Sequence, residues 1–342
     1  MSVLLSLLAV SACTSGSEGD DVGSPSPSSA ARGGSLPAPP AVPARNCDGA
    51  NVVDVADANG LQQALDLAVP GQVVRLADGR YEGAFVASAD APADAPIQLC
   101  GGRGAILDGG EIDGDYTLHL SGASYWIVSG FTVTGGQKGV MVDGGVGNRI
   151  ESLLVTSMGD EAIHLRTNST DNAVVGNSIR DTGLRKPKYG EGIYVGSAES
   201  NWCQLTDCEP DRSDRNLVEA NDIAGTTAEA VDIKEGTSDG VLRGNVFDGS
   251  AMTESDSWVD VKGNDWTIEG NTGTSSPGDG FQVHEVVDGW GRGAVFRGNA
   301  VDDVPGLAIN IAGPSTIRND TTVACDNDAG GAGRSNVTCS ES

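Results

Sequence analysis

The sequence is poor in aromatic residues, which make up 4% of the chain. That argues against a compact core built on large rings. It is also poor in positive charge. Against 48 Asp and Glu stand 21 Lys and Arg, for a formal net charge of −27. Such a balance disfavours binding along nucleic acid or an anionic membrane surface. An anionic ligand must therefore meet a local cluster of cations, or a bound cation. Long apolar runs are lacking: VLLSLLAVSAC, from residue 3, is too short to cross a bilayer as a helix. Paired CxxC knuckles are absent and no cysteine has a histidine beside it, which argues against a structural zinc site. Glycine, by contrast, is abundant at 49 residues. This suits many tight turns joining Val, Ile and Leu strands.

The apolar N-terminal run ends in Val10-Ser11-Ala12-Cys13. These small residues before a cysteine resemble the lipobox of bacterial lipoprotein signal peptides. The resemblance implies a signal segment over 1–13, with Cys13 the lipidated first residue after cleavage. It places the protein outside the cell, on the membrane only through that lipid. An ordinary secretion signal is the plainer alternative. The basic residues that usually open such segments are missing, which points to a natural start upstream of Met1. Residues 14–45 are Ser, Gly, Pro, Ala and Asp without periodicity, as expected of a disordered tether. The folded domain is expected over 46–342, as a monomer. Apart from Cys13 there are six cysteines, and an even number in an exported chain suggests disulfides. The economical pairing is Cys47–Cys100, Cys203–Cys208 and Cys325–Cys339.

Short apolar runs recur before an asparagine: VVGN, VEAN, VLRGN, TIEGN and VFRGN, with Asn at 177, 221, 245, 271 and 299. The steps between them are 44, 24, 26 and 28 residues; the long first step holds an insertion around 184–214. A period in the twenties with β-like runs and Gly/Asn turns describes one coil of a right-handed parallel β-helix. Leucine-rich repeats share the period but need an LxxLxL spacing that is absent. Stacked asparagines would ladder along one corner. ANGLQQALDLA, residues 58–68, places Leu61, Leu65 and Ala68 at helical spacing. A helix there would cap the open end of the coil stack.

A second strand of each coil aligns as LHLS (118–121), VMVD (140–143), IHLR (163–166), IYVG (193–196), VDIK (231–234), VDVK (259–262), FQVH (281–284) and INIA (309–312). First and third positions are apolar and point inward. Second and fourth positions point out, so stacking makes two polar columns on one face. One column holds His119, Met141, His164, Tyr194, Asp232, Asp260, Gln282 and Asn310. The other holds Ser121, Asp143, Arg166, Gly196, Lys234, Lys262, His284 and Ala312. All three histidines of the chain lie in them. Glu161, Glu191, Glu229 and Asp279 precede four of these strands by two residues. Outward strand positions are polar in any solenoid, and Asp232–Lys234 or Asp260–Lys262 can be plain surface pairs. A binding or catalytic face explains the gathering of every histidine there.

Lys, Arg, His, Tyr and carboxylates along a groove suit an extended polar polymer, most simply a polysaccharide. Uronic-acid polymers can be cut by β-elimination. The substrate carboxylate is neutralised, a base takes the C5 proton, and an acid protonates the leaving oxygen. Lys234 can serve as that base if burial and neighbouring cations lower its pKa. Lys262 and His284 complete the expected catalytic set. Glu229 and Glu191 can hold Ca²⁺ through oxygen ligands, with Asp232 nearby. Arg166, His164, Tyr194, Asp232, Asp260 and Gln282 would line the substrate path. Arg185, Lys186 and Lys188 form a basic patch in the insertion, with Trp202 beside Cys203–Cys208, as a clamp for an anionic chain.

Two blocks resemble the chondroitinase B and alginate lyase family of right-handed parallel β-helix polysaccharide lyases. The first is GLQQALDLAVPGQVVRLADGRYEG (60–83), similar to the family's helical cap and first strand. The second is AEAVDIKEGTSDGVLRGN (228–245), continued to Asp265. The resemblance implies a calcium-ligand role for Glu229, the base for Lys234 and a position near the acid for Lys262. Lys262-Gly263 stands where the family has an Arg-His-Gly pattern, and Thr227 where it has a second glutamate. The alternatives are a glycoside hydrolase using Glu161, Glu191, Glu229, Asp232 or Asp260, and a non-catalytic glycan-binding solenoid.

Overall fold

The computed structural model describes residues 38–40, 42 and 45–341. The expected signal segment and its lipidation point Cys13, and most of the tether, lie outside them. The chain winds into a right-handed parallel β-helix with three sheets of 11, 10 and 9 strands. Each coil gives one strand to each sheet in turn. The ten-stranded sheet, here the front, carries the two polar columns.

Helix α1 (Ala58–Asp66) sits at the N-terminal end. Asp57 caps it, its carboxylate accepting from the Gly60 N–H at 2.8 Å. Its apolar face buries Leu61, Ala64 and Leu65 over the first coil, as the spacing predicts. The front-sheet register is the one read from sequence. Val140 pairs with Leu118 and Ile163, Ile193 with Val231, Val231 with Val259, and Phe281 with Ile309. The first- and third-position residues are buried along its whole length.

The asparagine ladder forms. Asn177, Asn221, Asn245, Asn271 and Asn299 each accept and donate along one corner, and Asn327 extends the row. A second row, Asn148, Asn172 and Asn216, lines the corner after the front sheet. Parallel coils leave corner N–H groups without a strand partner, and each buried amide supplies one. Four of the few aromatics cluster inside the later coils, where Phe247, Trp258, Phe281 and Phe296 pack with centroids 5.9–6.4 Å apart. Trp258 takes the inward space of Gly273; a Cβ there would sit 2.6 Å from the ring.

All three expected disulfides are present. The insertion resolves into two loops that flank the strand Ile193–Val195. The loop before it contains the turn Pro187–Tyr189, and the loop after it contains helix α2 (Glu199–Leu205).

Candidate active site

The two loops rise from opposite edges of the front sheet at one strand and wall a cleft of about 570 Å³. Its floor is formed by His164, Arg166, Tyr194, Asp232 and Lys234 from the columns, with Lys138, Glu161, Glu191 and Glu229 from the strand approaches. Arg185, Lys188 and Tyr189 form one wall. Ser200, Asn201, Gln204 and Leu205 of α2 form the other.

Each wall is anchored to the frame. Arg185 pairs with buried Asp160, which also accepts from Gln137 at 2.8 Å. The Thr227 hydroxyl donates to the Pro187 carbonyl at 2.7 Å, so the residue at the family's glutamate position ties down the first wall. Glu235, next to Lys234, accepts from the Glu199 N–H of α2 at 2.7 Å. Trp202 is buried beneath α2, its indole N–H donating to the Ser197 carbonyl at 3.0 Å. The expectation of a Trp202 clamp is thus corrected: the helix turns the ring inward, where it supports the wall.

The columns form a chain of alternating charge. Lys234 Nζ lies 2.5 Å from Asp232; Lys262 Nζ lies 2.8 Å from Asp232 and 3.0 Å from Asp260; His284 lies 3.5 Å from Asp260 and 2.8 Å from Gln282. Lys262 is 8% exposed and does not line the cleft; neither do Asp260, Gln282 and His284. Lys262 therefore meets the cleft only through Asp232, which corrects the expectation that it sits in the catalytic set. Arg166 pairs with Asp143, which also accepts from His119 at 2.9 Å.

Burial alone would lower the pKa of Lys234, but the charge and hydrogen bond of Asp232 outweigh it and the net shift is upward. The expected lowering by neighbouring cations does not occur, because a carboxylate stands between Lys234 and Lys262. Burial and then the Asp232 charge hold the Tyr194 phenol well above its ordinary value. Lys234 lies over the Tyr194 ring, 5.0 Å from its centroid. Burial and then the Lys138 charge lower the His164 pKa, and its Nε2 bonds the Gly196 carbonyl at 2.9 Å.

Oxygens of Glu191, Glu229 and Asp232 come within 4.8 Å of one another. Burial and then the Asp232 charge push Glu229 up to about 8. Burial and then the Glu161 charge also raise Glu191 well above its ordinary value, and its Oε2 is buried without a partner. An all-oxygen set with an unpartnered buried carboxylate atom fits a hard cation such as Ca²⁺.

Sequence reasoning missed Lys138, Asp160, Tyr189 and Glu254, which also line the cleft. Lys138 was findable: it precedes Val140 by two, in line with Glu161 and Glu191. Glu254 arrives on a loop from another coil and has no signal in the repeat.

No protein-family profile and no curated protein matches the sequence. Among solved structures, an alginate lyase from Paenibacillus sp. str. FPU-7 aligns at 35% identity and TM-score 0.78, over 85% of this chain and 99% of that one. The pectate lyase Pel9A aligns at 16% identity and TM-score 0.60, over 83% and 82%. A family 28 exopolygalacturonase from Yersinia enterocolitica aligns at 13% and 0.55, over 81% and 64%. The last two share the fold alone.

Proposed function

Because the chain belongs to the family of the Paenibacillus alginate lyase, we propose that it is a polysaccharide lyase cutting a uronic-acid polymer by β-elimination. The observation that carries this reading is Lys234 set over Tyr194 on the cleft floor, the lysine and the tyrosine of the polar columns that both line it. Lys234, once deprotonated, takes the C5 proton. Electrons of that C–H bond form the C4–C5 double bond, the C4–O bond breaks, and the Tyr194 phenol protonates the departing oxygen. Glu191, Glu229 and Asp232 would hold Ca²⁺, which supplies positive charge against the substrate carboxylate. Asp232, kept in place by Lys262, orients Lys234. In this reading the protein is exported, tethered through Cys13, and works as a monomer.

The test is to offer alginate, pectate and glycosaminoglycans, with and without chelator, and record the ultraviolet absorbance of unsaturated ends. Reducing ends without unsaturation would support a hydrolase instead, with the protonated Glu229 beside Asp232 as its acid.

A base held protonated has a pH signature. Since Lys234 is raised by Asp232, its reactive free-amine fraction grows about tenfold per pH unit below its pKa. The log of kcat/KM should therefore climb with pH through neutrality. Asp232→Asn removes the carboxylate that holds the proton, lowers the Lys234 pKa and moves the rise to lower pH. A flat profile in both proteins would remove Lys234 as the base.

Lys186 and Lys188 flank the Tyr189 ring at 5.7 and 4.6 Å, and among the described residues neither has a carboxylate partner. The other three lysines each have one. These two are free to capture a polyanion against the overall negative field. Lys186→Ala/Lys188→Ala should raise KM several-fold, leave kcat within about twofold and flatten the salt dependence of kcat/KM. An unchanged salt dependence would count against the capture role.

A further inference from the structure

Trp290 stands apart from the other tryptophans. Trp126, Trp258 and Trp266 are fully buried, and Trp202 is 7% exposed. Trp290 is half-buried, in the loop that follows the front strand Asp279–Val283. Gly289 and Gly291 on either side adopt positive φ of 86° and 73°, a conformation glycine takes without a steric penalty. A Cβ on Gly291 would lie 2.2 Å from the His284 carbonyl oxygen, so this close turn requires glycine. The loop is pinned to the preceding rung. Asn264 donates to the Gly289 carbonyl at 3.1 Å and accepts from the Arg292 N–H at 2.9 Å. Arg292 is fixed in turn by Glu285 at 2.7 Å. The pinned loop thus leaves part of an indole open to solvent.

Arg212 covers the ring, its guanidinium carbon 5.6 Å from the centroid. It belongs to the segment that follows α2, the second cleft wall, and its side chain is 53% exposed. Asp214 holds its Nε at 3.0 Å. The wall therefore continues from the cleft to Trp290 along the same edge of the front sheet. The Trp290 rung lies two strands beyond that of Lys234, about 10 Å at the usual strand spacing. That is the reach of a short oligosaccharide rather than of one ring.

We propose that Trp290 and Arg212 form a further sugar-binding platform, taking a distal uronate of the polymer that occupies the cleft. The proposal rests on the uronic-acid reading above. An indole face suits the C–H face of a pyranose, and a stacked guanidinium is placed to pair with its carboxylate. The platform would add affinity only for chains long enough to span both places.

The test uses the Lys234→Ala protein, which binds without cutting, titrated with alginate oligosaccharides of graded length while tryptophan emission is followed. Long oligomers should shift the emission, and Trp290→Phe in the same background should remove the shift. Trp290→Ala should weaken binding of the longest oligomers on the order of tenfold, with the loss confined to them. Arg212→Ala, which leaves the core untouched, should weaken the same oligomers. Tight binding that ignores both substitutions overturns the platform and leaves the lyase reading standing. No binding to alginate, pectate or glycosaminoglycan oligomers, with no unsaturated product from the wild type, overturns both.

Discussion

Lys234→Ala should lower the rate of unsaturated-product formation by 10²–10⁴-fold, the usual contribution of one positioned proton-transfer group. The protein should stay folded. The side chain is at the cleft surface, and Asp232 keeps its second cation, Lys262, at 2.8 Å. No buried charge is left alone, so the thermal midpoint should hardly move. Tyr194→Phe should cause a loss of similar order, since it keeps the ring beneath Lys234 and removes only the phenol proton. The two losses should not multiply in the double variant, because both groups serve one elimination. A Lys234→Ala protein that retains activity within about tenfold would dismiss the proton-transfer assignment, whatever its effect on KM.

The largest effect on stability is expected at Asn245, far from the cleft and fully buried. Its Oδ1 accepts from the backbone N–H and the side-chain amide of Asn221, both at 2.9 Å. Its Nδ2 reaches the Val218 carbonyl at 3.0 Å and Asn271 at 2.9 Å. Asn245→Ala strands several of these groups where water cannot reach. Each buried, unpaired group costs about 1–3 kcal/mol, so a total loss of at least ~3 kcal/mol is expected, read from the urea midpoint at unchanged m. Arg243→Ala, two residues away, removes an exposed ion pair with Glu219 and should cost no more than about 1 kcal/mol. Equal effects for the two would mean that the ladder does not carry the corner.

The front-sheet register was legible because a β-strand encodes direction in its simplest period. Val231 and Ile233 must point one way and Asp232 and Lys234 the other. The recurring asparagine supplied the phase that aligned one coil with the next. The same two signals placed Tyr194, His164 and Lys234 on one face. They could not say which outward residues stay open. Lys262 has the same strand position as Lys234, one rung on, yet it is buried between two carboxylates while Lys234 faces the cleft. Nothing in the repeat distinguishes them. The two loops beside Ile193–Val195 do, because the cleft they wall takes in Asp232 and Lys234 on the next strand and stops short of Lys262 on the one after. Trp202 was misread for a related reason: a tryptophan beside a disulfide has no preferred side until the short helix around it fixes one.

What the sequence determined by itself is the solenoid: its coil period, its inward and outward faces, its cap, its three disulfides and the line of ionisable groups along one face. These are local and periodic properties, set by side-chain alternation and turn chemistry within a single coil. The tertiary structure alone decided which of those groups form a site. It placed Asp232 between Lys234 and Lys262, which raises rather than lowers the lysine pKa, and it gathered Glu191, Glu229 and Asp232. Charge coupling depends on distances of a few ångströms between residues some thirty positions apart, and loop paths that no period records set those distances.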